Sequence, residues 1–228
     1  MSELRRQLEQ FRSTPQGQGL LRMIRVGEGT SGPQGYQTMF GGGTFDTSKG
    51  WRHPDRVVRS GGYASSAAGA YQFLTPTWQS AQRTLGLSSF DPASQDLAAL
   101  YLAKQRGALD VLQKGGKLVD VMDRLAPEWA SIPTREGRSY YGQPVKSVSD
   151  LSKAYEEGKA GAPVQTPAGT AQAVQRGNAL GQTILQQVLK QLVPATLQKR
   201  SQVLSPEELL SISNASVEMP SDYLDLFV

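Results

Sequence analysis

The 228-residue sequence contains no cysteine. That excludes a disulfide scaffold, a cysteine nucleophile and any thiolate metal site. Its one histidine is His53, too few for a histidine-built metal centre, and a Ser-His-Asp hydrolase is not expected either. Long apolar runs are also missing, and none approaches the roughly 20 residues that a bilayer span requires. Residues 2–12 are polar and charged where a signal peptide would carry an apolar stretch. These absences predict a soluble chain with no membrane span, made in the cytoplasm. No run of lysines and arginines interleaves with aromatics, so no nucleic-acid partner is expected.

What is present suits a modest core, with 38% hydrophobic and 19% charged residues. The charge is unevenly spread. Residues 1–158 hold 19 basic and 15 acidic groups, residues 159–200 hold five basic and no acidic ones, and residues 201–228 hold five acidic and no basic ones. A basic stretch followed by an acidic one reads either as a solvated tail or as a bipolar arm that docks on complementary surfaces. The overall positive charge suits a polyanionic partner, of which a bacterial cell wall is one.

The pattern along the chain predicts an α+β domain, mostly helical with a small β element. Ser2 is placed to cap a helix bearing Leu4, Leu8 and Phe11, which Thr14-Pro15 breaks. A more buried helix through Leu20, Leu21 and Ile24 ends at Gly27-Glu28-Gly29. A glycine-rich, irregular stretch runs from there to Ser66, with short strands expected at residues 36–40 and 44–45. A loop of that length in a compact domain is functional or disordered. Helices then follow, the first with Thr75 as cap, Trp78, Ala81 and Leu85 as its stripe and Gly86 as its end. The next starts at Asp91-Pro92, and others cover residues 109–113, 117–125 and 148–157, the last closed by Gly158. Residues 1–158 are thus read as one domain and the Gly-, Ala- and Pro-rich residues 159–170 as a linker. Residues 171–228 are read as a helical arm, with an amphipathic helix at 175–192. A lone apolar stripe must be buried somewhere, against the domain, a second copy or a larger assembly.

Three clusters carry candidate chemistry. Glu28 is the only acidic residue between Glu9 and Asp46 and stands between two glycines at the end of an apolar helix. Partial desolvation there would raise its pKa towards that of a general acid; the alternative is a helix-terminal glutamate in water. In Ala68-Gly69-Ala70-Tyr71-Gln72-Phe73, small residues allow close backbone approach and Gln72 supplies an amide that both donates and accepts. Trp129-Ala130-Ser131 and Tyr140-Tyr141-Gly142-Gln143 combine aromatic faces with hydroxyls and amides, which suits carbohydrate. A core tryptophan with surface tyrosines is the plainer account.

A family resemblance becomes specific at this point. Gly27-Glu28-Gly29-Thr30, YQTMFGGGTF at residues 36–45, His53-Pro54 and GAYQFL at residues 69–74 recur in order with Leu85-Gly86-Leu87, Phe90 and Ser94-Gln95-Asp96. Arg106-Gly107-Ala108-Leu109, Trp129-Ala130-Ser131 and Tyr141-Gly142-Gln143 continue the series. Across about residues 18–155 the chain resembles the lysozyme-like lytic transglycosylases of lambdoid bacteriophages. The resemblance implies a lysozyme-like α+β fold with a groove that holds several sugars of peptidoglycan, and no metal or cofactor. It implies that Glu28 is the catalytic acid and base, with Gly27 where the family has serine. Gln72 and Tyr141 match groove positions, and Tyr71, Trp129, Ser131 and Asp46 join them as candidate substrate contacts. Residues 134–138 look like a small insertion at the groove rim.

The resemblance implies cleavage of the bond between N-acetylmuramic acid and N-acetylglucosamine with closure of a 1,6-anhydro ring, so that one carboxylate suffices. A hydrolase would need a second, for which Asp46 or Asp55 is available, and a non-catalytic glycan-binding or particle-building role stays open. The arm beyond Gly158 favours a protein carried in the phage virion, docked on other virion proteins through residues 171–228 and acting on the periplasmic wall of the host. The alternative is a free endolysin that acts at lysis.

Overall fold

The computed structural model describes residues 1–142 and 144–161. The linker, the amphipathic helix at 175–192 and the acidic end expected beyond them lie outside the described residues. Seven helices and one strand pair are described: α1 (Glu3–Arg12), α2 (Pro15–Gly27), β1 (Val58–Ser60), β2 (Tyr63–Ser65), α3 (Thr75–Leu85), α4 (Pro92–Gln105), α5 (Ala108–Gln113), α6 (Leu118–Leu125) and α7 (Val148–Lys159). The expected mostly helical α+β domain is the one observed. No described helix is long and apolar enough to cross a membrane.

Local chemistry sets the helix ends. The side chains of Ser2, Thr14, Asp91 and Ser147 each accept a backbone N–H of the first turn of α1, α2, α4 and α7, which satisfies donors the helix cannot. α3 departs from expectation. Its cap residue is Leu74, Thr75 already lies inside the helix, and no side chain caps it. The Thr75 N–H is instead taken by the Ser66 hydroxyl at 3.1 Å. Gly86 closes α3 in the left-handed conformation.

α2 is the central element. Gly17, Gly19, Leu20, Leu21, Arg22, Met23, Ile24 and Gly27 are all buried along it, so it is covered on nearly every side, chiefly by α7. That packing corrects the role expected of Gly158. It does not end α7, which runs on to Lys159 with Ala160 as its cap. Gly158 is where the two helices meet, because a Cβ there would lie 2.7 Å from the Gln18 carbonyl oxygen and 2.8 Å from Gly19 Cα. A second part of the core is aromatic. Phe90 packs edge-on against Trp78, with centroids 4.6 Å apart, and also touches Phe45, Phe73 and His53.

The strands are not where they were expected. Where strands were expected at residues 36–40 and 44–45, the chain makes two short 3-10 turns, Gly35–Gln37 and Phe40–Gly42, and the isolated bridges Thr38–Thr44 and Met39–Ala68. Gly41 and Gly42 hold φ of 84° and 89°, values that favour glycine and turn the chain before pairing extends. The antiparallel pair forms later, with Ser60 opposite Tyr63 and Gly61-Gly62 between them, both at positive φ as a tight two-residue hairpin loop needs.

Substituting Gly158→Ala should cost about 2 kcal/mol of stability by overpacking the contact between α2 and α7, measured by urea unfolding. A loss below about 0.5 kcal/mol, the range of ordinary surface substitutions, would mean that the two backbones do not meet there.

Candidate active site

Glu28 is placed by the way α2 stops. It is the cap residue, its N–H bonded to the Ile24 carbonyl at 2.9 Å. Gly29 follows at φ 71°. The Gly29 N–H reaches the Val26 carbonyl at 3.2 Å and the Thr30 N–H the Arg25 carbonyl at 2.9 Å. Those two bonds are the glycine-dependent helix ending that pairs the last free carbonyls. Gly29 is therefore required by the turn, and the turn fixes the direction in which Glu28 leaves the helix. Thr30, 3% exposed, donates its hydroxyl to the Ala70 carbonyl at 2.5 Å, which ties the turn to the Ala68–Phe73 segment.

The carboxyl is half-buried and accepts one hydrogen bond, from the Ser131 hydroxyl to Oε1 at 2.5 Å. Burial pushes its pKa up to about 7, while the Ser131 bond pulls the other way by favouring the charged form. The C-terminal end of a helix also disfavours negative charge. Such a carboxyl holds its proton near neutrality and can give it up and take it back. Gly27 makes room for the pair, since a Cβ at that position would lie 3.0 Å from Ser131 Oγ.

Trp129 and Tyr71 depart from the expectation that they contact substrate. Trp129 is 4% exposed and Tyr71 1%. The Trp129 indole N–H donates to the Tyr71 carbonyl at 3.1 Å, and the Tyr71 hydroxyl donates to Asp96 Oδ1 at 2.6 Å. With their polar atoms satisfied inside, both are core residues, and neither offers a ring face to a sugar. Their burial instead anchors the turn that carries Ser131. The Ser131 carbonyl accepts the Lys146 N–H at 3.0 Å, which closes the loop after it.

Gln72 is half-buried at φ 49°, an uncommon conformation for a side-chain-bearing residue. Its amide N–H groups donate to the Gly69 and Thr38 carbonyls at 2.9 and 3.3 Å. Tyr141 is half-buried, donates its hydroxyl to the Pro127 carbonyl at 2.8 Å and packs edge-on against Tyr140, which is 55% exposed. Asp46 is exposed and already committed, since its two oxygens accept the Ser48 N–H and hydroxyl, both at 2.8 Å. Residues 134–138 form a closed turn, the Thr134 N–H bonded to the Arg138 carbonyl at 2.8 Å. Arg135 fastens that turn to Asp120 and Asp123 of α6.

A buried network that no local sequence signal marks lies behind the site. Asp96 Oδ1 accepts both the Tyr71 and Tyr36 hydroxyls, and the Tyr36 oxygen accepts from Arg25, one turn before Glu28. Burial raises the Asp96 pKa, and the two tyrosines and the Arg25 and Arg12 guanidiniums oppose that rise. Beside it, Gln95 is fully buried, accepts the Ala70 N–H and donates to the Tyr36 and Phe90 carbonyls. Short of a local signal, the sequence offers the cluster of long polar side chains on the inner face of α4, among apolar neighbours.

The family model described as Endolysin matches residues 18–163. The endolysin of Escherichia phage lambda is 35% identical over 150 residues, 63% of this chain and 91% of that protein. The endolysin of Escherichia phage P2 is 36% identical over 98 residues, 43% of this chain and 56% of that protein. Among solved structures, bacteriophage lambda lysozyme complexed with a chitohexasaccharide superposes with a TM-score of 0.56 at 34% identity, covering 67% of this chain and 97% of the other. Lambda lysozyme in a second structure gives a TM-score of 0.54 at 31% identity, with the same coverage.

The raised pKa of Glu28 has a measurable consequence for folding. Because the folded value of about 7 stands above the ordinary 4.5, ionising Glu28 costs stability as the pH rises through that interval. Glu28→Gln should therefore match the native protein near pH 4 and exceed it at about pH 8 by on the order of 1–2 kcal/mol, a figure discounted for partial exposure. Thermal unfolding across that range checks it, and a difference that does not change with pH would contradict the burial of the charge.

Proposed function

The chain belongs to the endolysin family, its residues 18–163 matching the family model, and from that premise we propose that it is a peptidoglycan lytic transglycosylase with Glu28 as acid and base. Membership makes it a lysozyme-like enzyme that degrades cell wall by cleaving glycosidic bonds. The proposal concerns the chemistry of the cut and the residues that make it. The observation that carries it is the half-buried Glu28 carboxyl in contact with Ser131, where burial pushes its pKa up to about 7.

The protonated Glu28 gives its hydrogen to the glycosidic oxygen between N-acetylmuramic acid and N-acetylglucosamine. As that bond breaks, positive charge develops at the anomeric carbon, where the neighbouring N-acetyl group can stabilise it. Ser131 then stabilises the Glu28 carboxylate until that carboxylate removes the proton from the muramic C6 hydroxyl. The freed oxygen bonds the anomeric carbon and closes the 1,6-anhydro ring. Glu28 ends protonated, and no water is consumed. One carboxylate is enough for this sequence of steps, and among the described residues no other carboxylate is hydrogen-bonded to Glu28. Of the two candidates for a second, Asp46 has both oxygens held by Ser48, and neither Asp46 nor Asp55 is hydrogen-bonded to Glu28.

Gln72 and Tyr141 are the proposed groove residues. With its N–H groups bound to Gly69 and Thr38, Gln72 keeps an amide oxygen that can accept from a sugar hydroxyl or amide. Tyr141 offers a half-exposed ring beside Tyr140 on which a sugar can stack. We place the protein in the phage virion, docked on other virion proteins through residues 171–228, because the chain continues past the family match into a basic and then an acidic stretch.

Glu28→Gln should fold normally and lose at least about 10²–10⁴-fold of lytic rate, the usual contribution of a general acid–base group. Retention of near-native lysis would remove Glu28 from the reaction. Mass spectrometry of the products should find 1,6-anhydro ends; reducing ends, heavier by one water, would make the enzyme a hydrolase. Gln72→Ala should raise KM up to about ten-fold at unchanged kcat, as expected for one lost hydrogen bond. Proteomics of purified virions should detect the chain, and its absence from particles would make it a free endolysin.

A further inference from the structure

The described residues hold a cleft of about 760 Å³ that Glu28, Gln72, Ser131 and Tyr141 do not line, and whose lining includes Phe45, Asp46, Lys49, Arg52, Pro54 and Arg56. Its charge is lopsided. Three exposed cations, Lys49, Arg52 and Arg56, stand against the carboxylate of Asp46, which Ser48 already engages through both oxygens. The Ser48 bonds hold that carboxylate below its ordinary pKa, so it stays ionised without pairing with the cations.

Among the described residues six other arginines are ion-paired, while some, such as Arg59 and Arg83, are not. Arg5, Arg6, Arg12, Arg22, Arg106 and Arg135 each meet a carboxylate. Among the described residues no ion pair joins Lys49, Arg52 or Arg56 to one. Among the described residues Arg56 meets the Met39 sulfur at 3.5 Å, a weak acceptor. Three unpaired cations around one concave space form a ready site for anions.

The cleft is also anchored. His53, on its rim, bonds the Phe73 carbonyl through Nε2 at 2.9 Å and accepts the Asp55 N–H at Nδ1 over 3.2 Å. That pattern fits a neutral ring with its proton on Nε2, and burial lowers the His53 pKa in the same direction. The histidine adds no charge; it pins the Arg52–Arg56 loop to the residue after Gln72. Thr38 gives its carbonyl to the Gln72 amide, and the next residue, Met39, touches Arg56.

We infer that the cleft lined by Lys49, Arg52 and Arg56 receives the carboxylates of the peptide branches carried by the substrate glycan. This rests on the proposed function, because in peptidoglycan the peptides hang from the muramic lactyl groups and bring free carboxylates beside the glycan. A branch of a few residues, at about 3.3–3.6 Å each, is long enough to pass over the Thr38–Met39 segment from a sugar seated at Gln72. The cleft therefore distinguishes peptide-bearing strands from bare ones.

The test uses the full chain carrying K49A, R52A and R56A together, assayed on peptidoglycan and on the same glycan stripped of peptide by an amidase. A second triple variant, R83A, K114A and K117A, removes equal charge from other exposed positions. Exposed pairs are weak singly, so the expected result is a KM raised about ten-fold on peptide-bearing glycan, with kcat kept. No change is expected on stripped glycan or in the second variant. Equal losses on both substrates, or equal losses in both variants, would overturn the inference in favour of general attraction to the wall. The proposed function fails by a different signature: the native protein leaves reducing rather than 1,6-anhydro ends, or Glu28→Gln keeps near-native lysis, whatever the two triple variants do. Independently of cleavage, titrating a muramyl peptide into the Glu28→Gln chain should shift amide resonances of residues 44–56, and an unperturbed loop would contradict the site.

Discussion

The structure depends on keeping one carboxyl partly out of water at the end of a buried helix. A charge in that position is costly, and among the described residues the contact that lowers the cost is the Ser131 hydroxyl, with no counter-ion beside it. An arginine at 2.8 Å would have fixed Glu28 as a carboxylate. Ser131 instead stabilises the charged form only partly and leaves the proton within reach near neutrality. Much of the surrounding structure serves that contact. The glycine-dependent turn at Gly29 aims Glu28, the missing side chain at Gly27 admits Ser131, and the buried Trp129 holds the turn on which Ser131 sits.

The polar network behind the site does related work at a distance. Thr30, Ala70, Gln95, Tyr71 and Asp96 link α2, the Ala68–Phe73 segment and α4 through buried hydrogen bonds. In a low-dielectric interior such bonds are costly to leave half-made. They therefore hold the Glu28 turn and the Gln72 segment in one geometry, which is what a reaction without a cofactor would require of its scaffold.

Much of this was legible in the sequence where a residue's role is local. Ser2, Asp91 and Gly86 announce helix ends through their own backbone chemistry, and the helices they bound lie where they were expected. Glu28 stood out because its neighbours are apolar or glycine. Roles set by partners far along the chain were not legible. Trp129 and Tyr71 carry the same aromatic signal whether they line a groove or fill a core, and only the fold shows their polar atoms satisfied inside. Gly158 has the look of a helix stop but serves close packing with α2. The strand pair was misplaced because residues 36–45 have a strand-like composition that Gly41 and Gly42 break, whereas Gly61-Gly62 between two short polar runs is the stronger hairpin signal. The carboxylate–tyrosine network at Asp96 had no local signature beyond polar residues on an apolar helix face.

The most direct test of the account is a site-resolved titration of the Glu28 side-chain carboxyl by carbon NMR in the unliganded protein. A midpoint of about 7, falling towards the ordinary value when the chain is unfolded, is the result expected from a carboxyl held at the end of α2 and hydrogen-bonded by Ser131. A midpoint near 4.5 in the folded chain would mean a fully solvated carboxylate that keeps no proton to give at neutral pH, and the acid–base role assigned to Glu28 would fall.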